Sequence, residues 1–151
     1  MNFTEYEKKF CIEFTDMIFK HKLSIPFQKP VRPNEDGAPD YYDKITNPMD
    51  LGILKNKLEN NEYTNSTIWK SDLELIWKNA MSYNKEGTPI NSVAKKLDQK
   101  CKKRLRVIPT SEYEGWKIKL EYENRKMLGF LSEAPKESLV PVLPSLSIQQ
   151  C

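Results

Sequence analysis

The sequence predicts an all-α protein: a four-helix bundle with a long structured loop between its first two helices, and one extra helix toward the C-terminus. Three observations lead there. Apolar residues recur at three- and four-residue spacing in four separate stretches. Capping residues and prolines stand at the edges of those stretches. No run alternates polar and apolar residues as a half-buried strand requires.

Thr4-Glu5-Tyr6-Glu7 has the spacing of a capping box, and Phe10, Phe14, Met17 and Ile18 follow on one face, so the first helix is expected over about 5–22. Prolines at 26, 30, 33, 39 and 48 then remove backbone donors and push their predecessors out of helical conformation. The resulting loop of about 25 residues also carries Ile25, Phe27, Val31, Tyr41, Tyr42 and Ile45, too much apolar surface for a disordered segment. Asp50 stands at an N-cap position ahead of Leu51, Leu54 and Leu58, which share a face of a short second helix. Asn65 or Ser66 caps a third, marked by Trp69, Leu73, Ile76, Trp77 and Ala80. Lys85-Glu86-Gly87 reads as a turn. Thr88-Pro89 then opens a fourth helix with Ile90, Val93, Leu97, Cys101 and Leu105, running to about residue 106. Four helices with one long connection describe a bundle.

Pro109 ends that helix, and Ser111 with Glu114 offers a second capping box. A fifth helix over 112–131 would align Tyr113, Trp116, Leu120, Met127 and Leu131, although Gly115 and Gly129 weaken it. Beyond Pro135 three apolar clusters and two more prolines fit an extended tail laid on the domain, the alternative being disorder. The chain therefore divides into a bundle over 4–107, a helical extension over 108–134 and a Pro-rich tail over 135–151.

A chain of 151 residues with 38% hydrophobic and 30% charged residues suits one soluble domain with a real core. No apolar run approaches the roughly 18 residues of a membrane helix, and the first ten residues lack the apolar centre of a signal peptide. Cys11, Cys101 and Cys151 make no close-spaced pair, and a single histidine leaves no zinc-ligand pattern. No cofactor is expected, and an intracellular, reducing location fits. Charge is unevenly placed. Residues 95–106 hold seven basic side chains against one acid, while residues 29–43 hold two basic and four acidic ones. A basic run is first a solvated helix face, and its functional reading is a contact with nucleic acid such as DNA.

Asn84 falls at the end of the third helix, beside a turn, where a side chain is released from the helical ladder. An asparagine offers two donors and an acceptor, suited to reading an amide, although on spacing alone it reads first as a plain helix C-cap. Tyr42, Trp69, Trp77 and the leucine stripes read as core. His21 reads as a helix-end residue near the negative end of the dipole. Asp40 and Asp43 could pair, yet nothing beside them supplies a nucleophile or a metal, so no enzymatic activity is expected.

The segments 39–63, with Pro39-Asp40-Tyr41-Tyr42 and Pro48-Met49-Asp50-Leu51-Gly52, and 79–90, with Tyr83-Asn84, resemble the bromodomain family in order and spacing. Within it they are most similar to the first bromodomains of the BET proteins. The similarity covers about residues 5–106, and Ile25-Pro26-Phe27 stands where BET members carry a Trp-Pro-Phe shelf. It implies a left-handed four-helix bundle and a pocket for acetylated lysine between its loops. Asn84 would donate to the acetyl carbonyl, and Tyr41 would hold a water donating to the same oxygen. Phe27 would pack on the acetyl methyl, Val31 and Tyr83 would line the walls, Ile90 would guard the mouth, and Pro26 would form the shelf. At the rim, Ile25 replaces the shelf tryptophan, and Asp36 and Ala38 replace leucines. The implied rim is more polar and more open, edged by Glu35, Asp36, Asp40 and Glu86, and suited to basic tails of histone H4 or H3. The implied setting is chromatin in the nucleus, with other chromatin proteins as partners. Two competing readings are a nucleic-acid-binding bundle using the 95–106 face and an interaction scaffold whose pocket is non-functional.

Overall fold

Helix α1 (Glu5–Phe19) begins at the expected capping box, with Thr4 Oγ1 accepting from the Glu7 N–H (3.1 Å) and Glu7 Oε2 accepting from the Thr4 N–H (3.0 Å). These observations come from a computed structural model, which describes residues 3–135. α1 stops three residues short of the expected end. His21 is extended (ψ 130°), and its Nδ1 accepts from the Leu23 N–H to start a 3-10 helix, Lys22–Phe27. His21 is thus the helix-end residue expected, directly after the α1 C-cap Lys20 with its N–H donating to the Ile18 carbonyl (3.1 Å), and its side chain also caps the element after it. Gln28 Nε2 donates to the Phe19 carbonyl (2.7 Å), satisfying one of the acceptors that the end of α1 leaves free.

The long loop is held at several points and contains a second unexpected element, the one-turn helix α2 (Tyr41–Lys44). Tyr42 donates to the Val31 carbonyl at 2.8 Å, and its side chain stays 46% exposed. The expectation of a core Tyr42 is thus corrected: the helical turn points Tyr41 inward, and its neighbour faces out. Buried Asn79 donates to the Asn47 carbonyl at 2.8 Å and pins the loop just before α3. α3 (Leu51–Glu59) is capped by Asp50, whose Oδ1 accepts from the Ile53 N–H at 2.9 Å. Gly52 in its first turn lies so close to the loop that an added Cβ would come 2.8 Å from the Gln28 carbonyl oxygen.

Asn65, the first of the two expected caps, opens α4 (Ser66–Tyr83) by accepting from Ile68. α5 (Pro89–Arg104) starts at Pro89 behind the N-cap residue Thr88, as expected, but the Thr88 hydroxyl donates backward to the Lys85 carbonyl (2.8 Å), closing the turn, and accepts nothing from the helix. Gly87 in that turn has φ +85°, a conformation open to glycine at no steric cost.

The described residues form two compact units, 3–112 and 113–135, with no strand in either. In the first, α1 packs on α3 and α4, and α4 packs on α5. Its core is built on Trp69, Trp77, Leu51, Leu54 and Leu73, all essentially inaccessible to solvent. Phe14 meets Trp69 edge-on at 5.9 Å, and the Trp69 indole donates to Thr15 Oγ1 at 3.1 Å, so its one polar atom is paired inside the core. The second unit is the helix α6 (Glu112–Glu133), which buries none of its residues. Tyr113, Trp116, Leu120, Met127 and Leu131 are each at least 42% exposed. The expected tail from residue 136 onward lies outside the described residues.

Candidate functional site

A second, smaller apolar cluster sets the site apart from the main core. Ala38, Tyr41 and Ile45 are buried together, with Val31 and Tyr83 half-buried against them. Three elements meet here: the loop after the 3-10 helix, α2, and the end of α4. Between them lies a cavity of about 400 Å³. Of the residues singled out from the sequence, Pro26, Phe27, Val31, Asp36, Ala38, Tyr41, Tyr83, Asn84 and Ile90 all line it. Ile25 does not. The 3-10 helix turns it outward, 65% exposed, so the shelf position contributes no wall.

The floor comes from residues that the sequence reading did not assign to the site. Met49, Ile53, Ile76 and Ala80 present apolar surface, and Phe27 stands edge-on to Trp77 at 5.2 Å. Asp50 also faces the cavity. Its carboxyl is buried, which raises its pKa, while N–H groups of Ile53 and Gly52 partly offset that rise.

Asn84 is the C-cap of α4, in an extended conformation (φ −89°, ψ 132°). Its Nδ2 donates to the Ala80 carbonyl at 2.9 Å, which fixes the rotamer and uses one of its two hydrogens. The other hydrogen and Oδ1 have no partner among the described residues, leaving a donor and an acceptor side by side at the cavity wall. Asn91, in the first turn of α5, holds this corner from behind. Its Nδ2 donates to the carbonyls of Met81 (3.1 Å) and Asn84 (2.8 Å). Sequence reading missed Asn91. The signal was its place on the stripe Asn91–Ala94–Asp98–Cys101, which is buried along its whole length.

Three tyrosines have distinct environments. Tyr41 is 6% exposed, edge-on to Tyr42 (5.3 Å) and Tyr83 (5.0 Å). Burial, reinforced by Tyr42 and the Asp50 carboxylate, raises its pKa, so it is a neutral phenol at physiological pH. The Tyr83 hydroxyl is already committed, donating to Asp40 Oδ1 at 2.6 Å. That bond pushes the Tyr83 pKa up to about 12; the Lys44 ammonium, and after it the Tyr83 hydroxyl, lower that of Asp40. Tyr83 therefore offers its ring to the cavity, while Tyr41 keeps an uncommitted hydroxyl.

The acidic edge expected around the mouth is largely compensated. Arg32 contacts both Glu35 and Asp36, and its backbone N–H donates to Asp36 Oδ2 (2.7 Å). Asp40 pairs with Lys44, and Glu86 with Lys95. All four acids are exposed, so each pair contributes little to stability; what they remove is uncompensated negative charge. Among the described residues, no group of three or more His, Cys, Asp or Glu could hold a metal ion. No described helix is long and apolar enough to cross a membrane.

A family model described as Bromodomain matches residues 11–96. An ankyrin repeat, bromo and BTB domain-containing protein of Dictyostelium discoideum is 43% identical over 58% of this chain and 11% of its own length. The SWR1 complex bromodomain subunit bdf1 of Schizosaccharomyces pombe is 32% identical over 70% of this chain and 18% of its own. Transcription factor GTE1 of Arabidopsis thaliana is 37% identical over 72% and 28%. The chain thus spans between a tenth and three tenths of these curated relatives. Among solved structures, the second bromodomain of Candida albicans Bdf1, bound to an imidazopyridine, superposes with a TM-score of 0.62. It is 32% identical, over 66% of this chain and 96% of that one.

Proposed function

The chain belongs to the bromodomain family, whose members read acetyl-lysine in chromatin, and we propose that it binds acetylated tails of histone H4 or H3 and recruits its parent protein or complex to chromatin in the nucleus. The observation that carries this is the pairing, in one apolar cavity, of an Asn84 amide with a free donor and a buried, uncommitted Tyr41 hydroxyl.

In this reading the acetyl carbonyl accepts from Asn84 Nδ2 and, through a water, from Tyr41. The methyl rests on Phe27, with Val31 and Tyr83 as walls, Ile90 at the mouth and Pro26 under the lysine stem. Discrimination follows from charge and donor count. Unmodified lysine is a hydrated ammonium with three donors and no acceptor, so Asn84 has nothing to donate to, and its burial costs several kcal/mol. Acetylation removes the charge and supplies both a carbonyl and a methyl. Asp36 and Ala38 give one wall less apolar bulk than a pair of leucines would. The rim's paired acids lend only weak attraction to basic tails. Names such as SWR1 complex subunit and transcription factor among the relatives support the nuclear setting. The expected contact between DNA and residues 95–106 is separate and does not involve the pocket.

Calorimetric titration with H4 and H3 tail peptides, unmodified and acetylated, tests the reading. Binding confined to acetylated peptides is expected, weakened about 5- to 150-fold in a folded Asn84→Ala variant by loss of one hydrogen bond. A folded wild-type chain indifferent to acetylation across both tails would sink it and leave the scaffold reading.

A further inference from the structure

The pocket leaves one strongly charged surface unused, the outward face of α5. Its basic residues fall into two groups. Lys95 pairs with Glu86 (3.6 Å) and Lys102 with Asp98 (2.7 Å), so two of the seven are neutralised locally. Lys96, Lys100, Lys103, Arg104 and Arg106 are exposed and have no ion-pair partner among the described residues. Lys103 and Arg104 lie in the last turn, where cations are accounted for by the negative end of the helix dipole. Lys96 and Lys100 lie outside that turn, and the dipole effect does not reach them. They cost mutual repulsion at i, i+4, and the fold uses neither for packing or pairing.

Lys96, Lys100 and Lys103 follow one another at four- and three-residue intervals, which puts them in a single row. At about 1.5 Å per residue the row spans roughly 10 Å along the axis. Phosphates of one duplex strand advance about 3.4 Å along its axis, so the row matches about three consecutive phosphates, with Arg104 beside it. The other exposed residues on this face, Ser92 and Gln99, are small or polar. No aromatic ring interrupts it, so it lacks the stacking platforms by which single strands are held. The row begins about 9 Å along the helix from Ile90, leaving the cavity mouth clear.

From this we infer that the Lys96–Lys100–Lys103 row of α5 is a second binding surface, which contacts the phosphate backbone of duplex DNA without reading its sequence. Through it the chain grips a polyanion while the pocket remains free for a peptide.

The test is fluorescence anisotropy of the 151-residue chain on a labelled mixed-sequence duplex between 50 and 200 mM KCl. Four phosphate contacts predict a log–log slope of about −3.6, a loss of about 150-fold across that range. Lys96→Gln/Lys100→Gln/Lys103→Gln, checked for an unchanged melting temperature, is expected to reduce the slope by about 3. A charge-matched Lys9→Gln/Lys117→Gln/Lys119→Gln control is expected to keep it. Four results would overturn the inference: no binding at 50 mM KCl, an unchanged slope in the first variant, an equal loss in the control, or tighter binding to single-stranded RNA or anionic vesicles than to duplex. None of these readouts depends on acetyl-lysine binding, so the pocket assignment stands or falls on its own.

Discussion

Asn91 exerts its effect through another residue. Both of its bonds go to carbonyls at the end of α4, one of them that of Asn84 itself. Asn91→Ala leaves two partly buried carbonyls without this donor, so a loss of about 1–3 kcal/mol is expected in urea unfolding. Acetyl-peptide affinity should fall as well, while affinity for unmodified peptide stays as it was; a purely structural role would lower stability alone. Gly52 is a second sensitive point. Its missing Cβ makes room for the Gln28 carbonyl, which is backbone and cannot swing away. Gly52→Ala should cost about 1–3 kcal/mol by overpacking, seen as a lower melting temperature, and should shift the loop that carries Phe27 and Val31. Asn84 and Tyr41 were singled out through the resemblance of the segments that carry them to the bromodomain family. Asn91 was not, because what it bonds to is decided by how two helices meet, and the outward turn of the rim residue Ile25 was not, because a 3-10 turn has no periodic signature.

At the level of elements, the starts and the end of α4 at Tyr83-Asn84 were legible, whereas the end of α1 was not. Thr4, Asp50 and Asn65 announce their helices chemically, since a side-chain oxygen must accept from a specific N–H. The end of α1 depends instead on Gln28, nine residues on in the chain, taking up the Phe19 carbonyl. The short helix α2 was hidden for a similar reason: four residues cannot display a period, and tertiary packing of Tyr41 and Ile45 holds them. The α1 and α5 faces also share a titration. Burial pushes the thiols of Cys11 and Cys101 up to about 12, from 9.0 when solvated. Between those values the unfolded chain gives up protons that the folded chain keeps, so stability is fully present below pH 9 and falls as pH rises from there. Chemical denaturation at pH 8, 9 and 10 should show that fall, and Cys11→Ala/Cys101→Ala should flatten it there, whatever its effect at neutral pH; above pH 10 the raised phenols of Tyr41, Tyr63 and Tyr83 add a fall that this variant keeps.

On the scale of the whole molecule, everything implicated in the pocket lies within residues 26–91, and the compact unit containing it ends at 112. α6 follows as a helix with no buried residue. A chain ending at residue 112 should therefore melt within a few degrees of the full chain and bind acetylated peptide equally well. A large drop in melting temperature would show that α6 or the residues after it support the bundle. The division also separates the three tryptophans optically. Trp69 and Trp77 are sealed in the core, whereas Trp116 on α6 is 58% exposed. Acrylamide should quench Trp116 and leave the bundle's blue-shifted emission nearly untouched. Because Trp77 stands edge-on to Phe27 at the cavity floor, that surviving emission is a built-in optical signal of pocket occupancy, readable without attaching a dye.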